Sequence, residues 1–100
     1  MTYKCISIVE AKSLIKKGDV TLLDVRDPAS FAAGNIPNSI NLSNDNVGDI
    51  LVTADKGIPV IVYCYHGNSS KGVADYFFNN GFEQSYSVDG GFEIWKLSSI

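Results

Sequence analysis

The chain has 100 residues, 45% of them hydrophobic and 19% charged, which is apolar material for one buried core and too little for a second. Lys and Arg number 8 against 11 Asp and Glu, a formal charge of −3 with an isoelectric point near 4.8, the wrong sign for a protein held by phosphate backbones or acidic lipid. The longest mainly apolar stretch is 58–65, far short of the roughly 20 residues a spanning helix needs, so no transmembrane segment is expected.

Short runs rich in β-branched residues alternate with helix signals along the chain. Residues 4–6, 20–25, 39–42, 59–63 and 85–88 read as strands. Between the first two, Ser7 and Glu10 have capping-box spacing, and Ile8, Ala11, Leu14 and Ile15 share one helical face until Gly18. Asp27-Pro28 is an N-cap followed by a proline suited to the first helical position. It opens a short helix that Gly34 ends, with Phe31 expected on its buried face. A further helix is predicted over 44–54. Another is predicted over 70–80, with Val73, Ala74, Phe77 and Phe78 as its core stripe and Gly81 as its stop. A last short helix begins near Gly91 and carries Phe92 and Trp95. Such alternation predicts an α/β domain with a mostly parallel sheet between helices.

The stretch Pro59 to Lys71 carries the chemistry. A strand ends at Cys64, a loop of small polar residues follows, and a helix begins. In an open α/β sheet, ligands bind outside the carboxyl ends of the strands, so this cysteine points toward the expected site. Gly67 permits backbone angles that a Cβ would forbid, and N–H groups from Tyr65 to Ser70 can then converge as an anion-binding nest. The helix N-terminus adds its own free N–H groups and dipole, biasing the sulfur toward thiolate. The plain alternative is that Cys64 ends an apolar strand as one more small buried residue. Cys5, with no glycine-rich loop after it, reads as structural. His66 is a general acid/base, a donor to a bound anion, or a merely exposed loop residue.

Two cysteines are too few for a disulfide scaffold, and with one His in the chain a Cys/His metal site is not expected. The N-terminus lacks a basic stretch followed by an apolar one, so the expected location is the cytoplasm.

Three blocks in order resemble the rhodanese-like sulfurtransferases, in their small single-domain thiosulfate-using form. They are Asp24-Val25-Arg26 followed by Phe31, Gly34 and Ile36-Pro37; the loop Cys64-Tyr65-His66-Gly67-Asn68-Ser69-Ser70; and Gly90-Gly91-Phe92-Glu93-Ile94-Trp95. The resemblance spans residues 1–100 and implies one rhodanese domain, a five-stranded, mainly parallel sheet with helices on both faces. It implies Cys64 as the catalytic nucleophile, with Tyr65, His66, Gly67, Asn68, Ser69 and Ser70 as the substrate-binding loop. The thiolate would take the outer sulfur of thiosulfate, release sulfite, and pass the persulfide sulfur to cyanide or to a thiol acceptor such as thioredoxin, with no cofactor. Asp24 and Arg26 are expected to pair or cap near the sheet edge, and Trp95 to fill the core.

Several positions depart from the family pattern. Tyr65 and Ser69 stand where many active members carry arginine, so anion binding would lean on backbone N–H groups, the hydroxyls of Ser69 and Ser70, and Lys71, with weaker thiosulfate affinity. Asn35, Asn38 and Ser39 replace a histidine and a Gly-Ala pair, changes that read as structural. A cysteine-dependent phosphatase or arsenate reductase is the rival enzyme class, disfavoured by the missing arginine fork. A non-catalytic rhodanese-fold binding module is the rival of another kind, disfavoured by the presence of Cys64 in an intact loop. A monomer, or a weak homodimer through exposed aromatics such as Tyr65 or Phe92, is the expected assembly.

Overall fold

The computed structural model describes residues 2–98. Its elements alternate: β1 (Lys4–Ile6), α1 (Ile8–Lys17), β2 (Thr21–Asp24), α2 (Pro28–Ala33), β3 (Ile40–Asn41), α3 (Val47–Thr53), β4 (Val60–Tyr63), α4 (Ser69–Asn79), β5 (Ser85–Val88) and α5 (Gly91–Trp95). The five strands form one sheet in the order β1-β5-β4-β2-β3, and every pairing in it is parallel.

The two-residue period of the strands builds a core on each face of this sheet. Leu22, Ile61, Tyr63 and Val88 point to one face and pack with Ile8 and Ala11 of α1 and with Phe92 and Trp95 of α5. Leu23, Val60 and Val62 point to the other and pack with Ile50 of α3 and with Ala74 and Phe77 of α4. Because β4 is central and covered on both faces, all four of its residues are buried, which explains its continuous apolar run. Phe77 and Phe82 meet edge to face with ring centroids 5.2 Å apart, a contact worth about 0.5–1.5 kcal/mol beyond the area it buries.

Local signals behave as the sequence predicts at α1, where the Ser7 hydroxyl accepts from Glu10 N–H and Glu10 accepts from Ser7 N–H. They also hold at α2, where the Asp27 carboxylate accepts from Ser30 N–H at 3.0 Å and Pro28 opens the helix. Four expectations need correction. Helix α3 starts at Val47 rather than 44, because Ser43 N–H donates to Asn46 Oδ1 at 2.8 Å and holds the preceding residues in a turn. Strand β3 is two residues long, since Ser39 N–H donates to Ile36 O at 3.1 Å in a turn and is not free for the ladder. No residue of α2 is buried, so Phe31 is half-buried on a surface helix. Trp95 is half-buried at the rim of its core, with Lys12 Nζ 4.9 Å from its ring centroid, and does not fill the interior. No helix among the described residues is long and apolar enough to cross a membrane.

Candidate active site

Central strand β4 delivers Cys64 to its carboxyl end, and the loop 65–68 returns the chain into α4. The loop curls around the sulfur. Gly67 N–H donates to Cys64 Sγ at 3.2 Å and Ser70 N–H at 3.3 Å, while Ser70 Oγ lies 3.4 Å from the sulfur. The helix contributes directly here, because Asn68 provides no side-chain cap and the free N–H groups of the first turn remain available to an anion.

Burial pushes the Cys64 thiol up, but hydrogen bonds from the Ser70 hydroxyl and from the N–H groups of Ser70, Gly67 and His66 outweigh it. The thiol is held below its ordinary value of 9.0. Cys64 is only 4% exposed, as an ordinary core cysteine would be. A core cysteine, however, would sit against apolar neighbours, whereas this sulfur is the acceptor at the centre of a ring of donors.

The loop geometry depends on α5. Gly67 has φ +95°, and a Cβ there would come within 2.9 Å of Gly90 N. Gly91 has φ +57°, and a Cβ there would lie 2.4 Å from Cys64 O and 2.7 Å from Tyr65 O. This close approach lets Phe92 N–H donate to Cys64 O at 2.8 Å and Glu93 N–H donate to Tyr65 O at 3.1 Å. With their carbonyls drawn toward α5, the peptides of the loop turn their N–H groups inward.

Behind this frame lies a buried ion pair. Arg26 holds Asp24 through Nε at 3.0 Å and a terminal nitrogen at 2.7 Å, and the same nitrogen donates to Gly34 O at 2.6 Å. Its guanidinium stacks 4.2 Å from the Phe92 ring centroid. The pair lies at the carboxyl end of β2, one strand in from the edge, and ties β2, the end of α2 and α5 together.

A family description, "Rhodanese-like domain", matches residues 7–98. The chain belongs to the rhodanese-like family. It is 46% identical over 98 residues to "Thiosulfate sulfurtransferase GlpE" of Pseudoalteromonas translucida (strain TAC 125), covering 98% of this chain and 93% of that one. Among solved structures, it superposes on a rhodanese-related protein from Thermoplasma volcanium with a TM-score of 0.79 at 28% identity, covering 97% of this chain and 94% of that one. A rhodanese-like domain protein from Staphylococcus aureus gives 0.76 at 30% identity, with 92% and 90% covered.

Within this rhodanese-like loop the expected residues divide into two groups. Tyr65, His66, Asn68 and Ser69 line a hollow of about 140 Å³ over Cys64. Gly67 and Ser70 are buried beneath and touch the sulfur. The Ser70 hydroxyl therefore faces the sulfur rather than an entering anion, and Lys71 does not line the hollow. Tyr65 turns its phenol toward α2, where it bonds to Asp27 and lies 2.6 Å from Ser30 Oγ. His66 is exposed, its ring centroid 6.4 Å from that of Tyr65. Phe92 is packed on the core beneath Arg26 and is not the exposed aromatic expected from sequence. Cys5 is exposed on edge strand β1.

The sequence reading missed Ser87 of β5, whose Oγ lies 2.7 Å from Ser70 Oγ. The available signal was Ser85 and Ser87 alternating on one face of a strand buried on both sides, where apolar residues are the rule.

Proposed function

We propose that this protein is a thiosulfate sulfurtransferase in which Cys64 carries the transferred sulfur. The observation that carries the reading is the sulfur of Cys64 at the focus of the Gly67 and Ser70 N–H groups, held below its ordinary thiol value at the floor of an open hollow. The curated relative at 46% identity is named for the same activity. The reading treats residues 1–100 as one rhodanese domain acting in the cytoplasm.

In the first half-reaction the Cys64 thiolate attacks the outer sulfur of thiosulfate. A new S–S bond forms, the S–S bond of thiosulfate breaks, and its electron pair leaves with sulfite. The product is a persulfide whose terminal sulfur is anionic near neutral pH, and the loop N–H groups stabilise it as they stabilised the thiolate. In the second half-reaction cyanide or an acceptor thiolate attacks that terminal sulfur, and the electron pair of the persulfide bond returns to Cys64. With a dithiol acceptor such as thioredoxin, the acceptor's second thiolate attacks the resulting persulfide, closing a disulfide and releasing hydrosulfide.

Tyr65, His66, Asn68 and Ser69 shape the entry, and Gly67 and Ser70 hold the reacting sulfur. Among the described residues no arginine or lysine lines the hollow, so weak, backbone-led thiosulfate binding is expected. The same lack of a guanidinium fork disfavours a phosphate monoester as substrate. The protein is taken to act as a monomer or weak homodimer.

The test is thiocyanate formation from thiosulfate and cyanide. Wild type and Cys5→Ser should turn over alike and Cys64→Ser should be inactive. Activity retained in Cys64→Ser would overturn the assignment of the carrier.

A further inference from the structure

Ser87 lies on the face of β5 that packs against α4, paired with Val62 on one side and Cys5 on the other, and both it and Ser70 are fully buried. The two hydroxyls are 2.7 Å apart, and Ser70 Oγ is 3.4 Å from Cys64 Sγ. A three-membered chain therefore runs from strand β5 through the first turn of α4 to the sulfur. Each hydroxyl has one hydrogen to give, so the direction of the chain depends on the state of the sulfur.

When the sulfur is a neutral thiol it donates to Ser70 Oγ, which leaves the Ser70 hydrogen for Ser87 Oγ. When it is an anion it has no hydrogen, and the Ser70 hydroxyl must turn and donate to it. Ser70 Oγ then needs a donor of its own, and Ser87 is the hydroxyl within reach. Hydrogen bonds in such a chain polarise one another, and more so in a buried, low-dielectric setting.

We propose that Ser87 is a positioning residue for sulfur transfer: by donating to Ser70 Oγ it orients the Ser70 hydroxyl toward Cys64 Sγ and so favours the anionic sulfur. This deepens the reading of Cys64 as the sulfur carrier and rests on it. Ser87 never touches substrate. Ionisation sends the thiol proton to solvent through the hollow, and the two serines only rotate their hydrogens. Among titratable side chains, Tyr65 and His66 line the hollow above the sulfur, while β5 and α4 present to it the neutral hydroxyls of Ser87 and Ser70.

Ser85 supplies a matched comparison. It is buried on the same face of the same strand, but its hydroxyl donates to Ala74 O at 2.7 Å and has no part in the chain to the sulfur.

The experiment follows the rate of Cys64 alkylation by iodoacetamide against pH in a Cys5→Ser background, for Ser87→Ala, Ser85→Ala, Ser70→Ala and the Ser70→Ala/Ser87→Ala double variant. Ser87→Ala should raise the midpoint by about half a unit to one unit, roughly three- to tenfold less thiolate at a pH below it. Ser70→Ala should raise it further, and adding Ser87→Ala to Ser70→Ala should change nothing, because Ser87 acts only through Ser70. Ser85→Ala should lower thermal stability and leave the midpoint in place. An unmoved midpoint in Ser87→Ala, an equal shift in Ser85→Ala, or a full further shift in the double variant would each overturn the proposal. Alkylation reads the thiol directly, so these outcomes are separate from failure of the carrier assignment, which turnover by Cys64→Ser reports.

Discussion

The carbonyl oxygen of Cys64 accepts the N–H of Phe92 at 2.8 Å, and that contact exists only because Gly91 has no side chain. The Gly-Gly turn and the cysteine loop, far apart in sequence, are two halves of one device that aims N–H groups at the sulfur. Gly91→Ala places a Cβ 2.4 Å from the same oxygen. The left-handed backbone alone costs about 1–2 kcal/mol, and relieving the collision must move the loop. Sulfur transfer should therefore fall by more than the loss of stability accounts for, as judged by melting and turnover measured together. Gly72→Ala, within α4 with nothing within 4 Å of the added Cβ, should instead stabilise by about 0.5–1 kcal/mol.

The pH dependence of Cys64 has a defined sign. Its folded-state pKa lies below the ordinary 9.0, so the ionised sulfur contributes stability that is fully present above the ordinary value and is lost as pH falls through the folded one. Alkylation and sulfur uptake should both reach half-maximum below pH 9.0, and unfolding the protein should move the alkylation midpoint upward. A midpoint in the folded protein above that of the unfolded chain would mean that burial outweighs the loop donors.

The Asp24–Arg26 pair is an anchor rather than a substrate contact. Both side chains are buried, at 0% and 4% exposure; burial pushes the Arg26 pKa down, but the hydrogen bonds and charges of Asp24 and Tyr63 together outweigh it and hold it above its ordinary value. Arg26→Met strands the carboxylate and should cost about 3–5 kcal/mol. Arg26→Met combined with Asp24→Asn should recover part of that loss. Urea unfolding of the single and double variants measures the coupling.

Tyr65 donates to Asp27 at the exposed N-terminus of α2. Its hydroxyl, followed by the N–H and hydroxyl of Ser30, lowers the Asp27 carboxyl from 3.8 to about 2. The contact persists as pH falls and is lost only on approaching that value. In Tyr65→Phe the Asp27 resonance followed by NMR should titrate at higher pH, nearer 3.8, with the Cys64 alkylation midpoint unchanged.

Most of the fold is legible in the sequence because its elements carry their own signals. Strand 85–88 and the capping box at Ser7 and Glu10 rest on local patterns that the fold leaves intact. The failures lie where turns at element ends compete with the periodic pattern: Asn46 delays α3 by bonding Ser43 N–H, and Ile36 O takes the Ser39 N–H that would have entered β3. The loop around Cys64 is legible as a strand end, a permissive glycine and a helix start. The inward turn of Ser70 is not, since it depends on Ser87, seventeen residues along the chain. Nor does any local pattern place Arg26 against Phe92, because that stacking needs α5 folded back over β2.

Whether sulfur rides on Cys64 is decided by intact mass spectrometry after brief incubation with thiosulfate. Wild type and Cys5→Ser should each gain one sulfur atom, removed by cyanide or reduced thioredoxin, and Cys64→Ser should gain none. A wild type that gains nothing, or a Cys64→Ser variant that gains as much, would contradict Cys64 as the sulfur carrier.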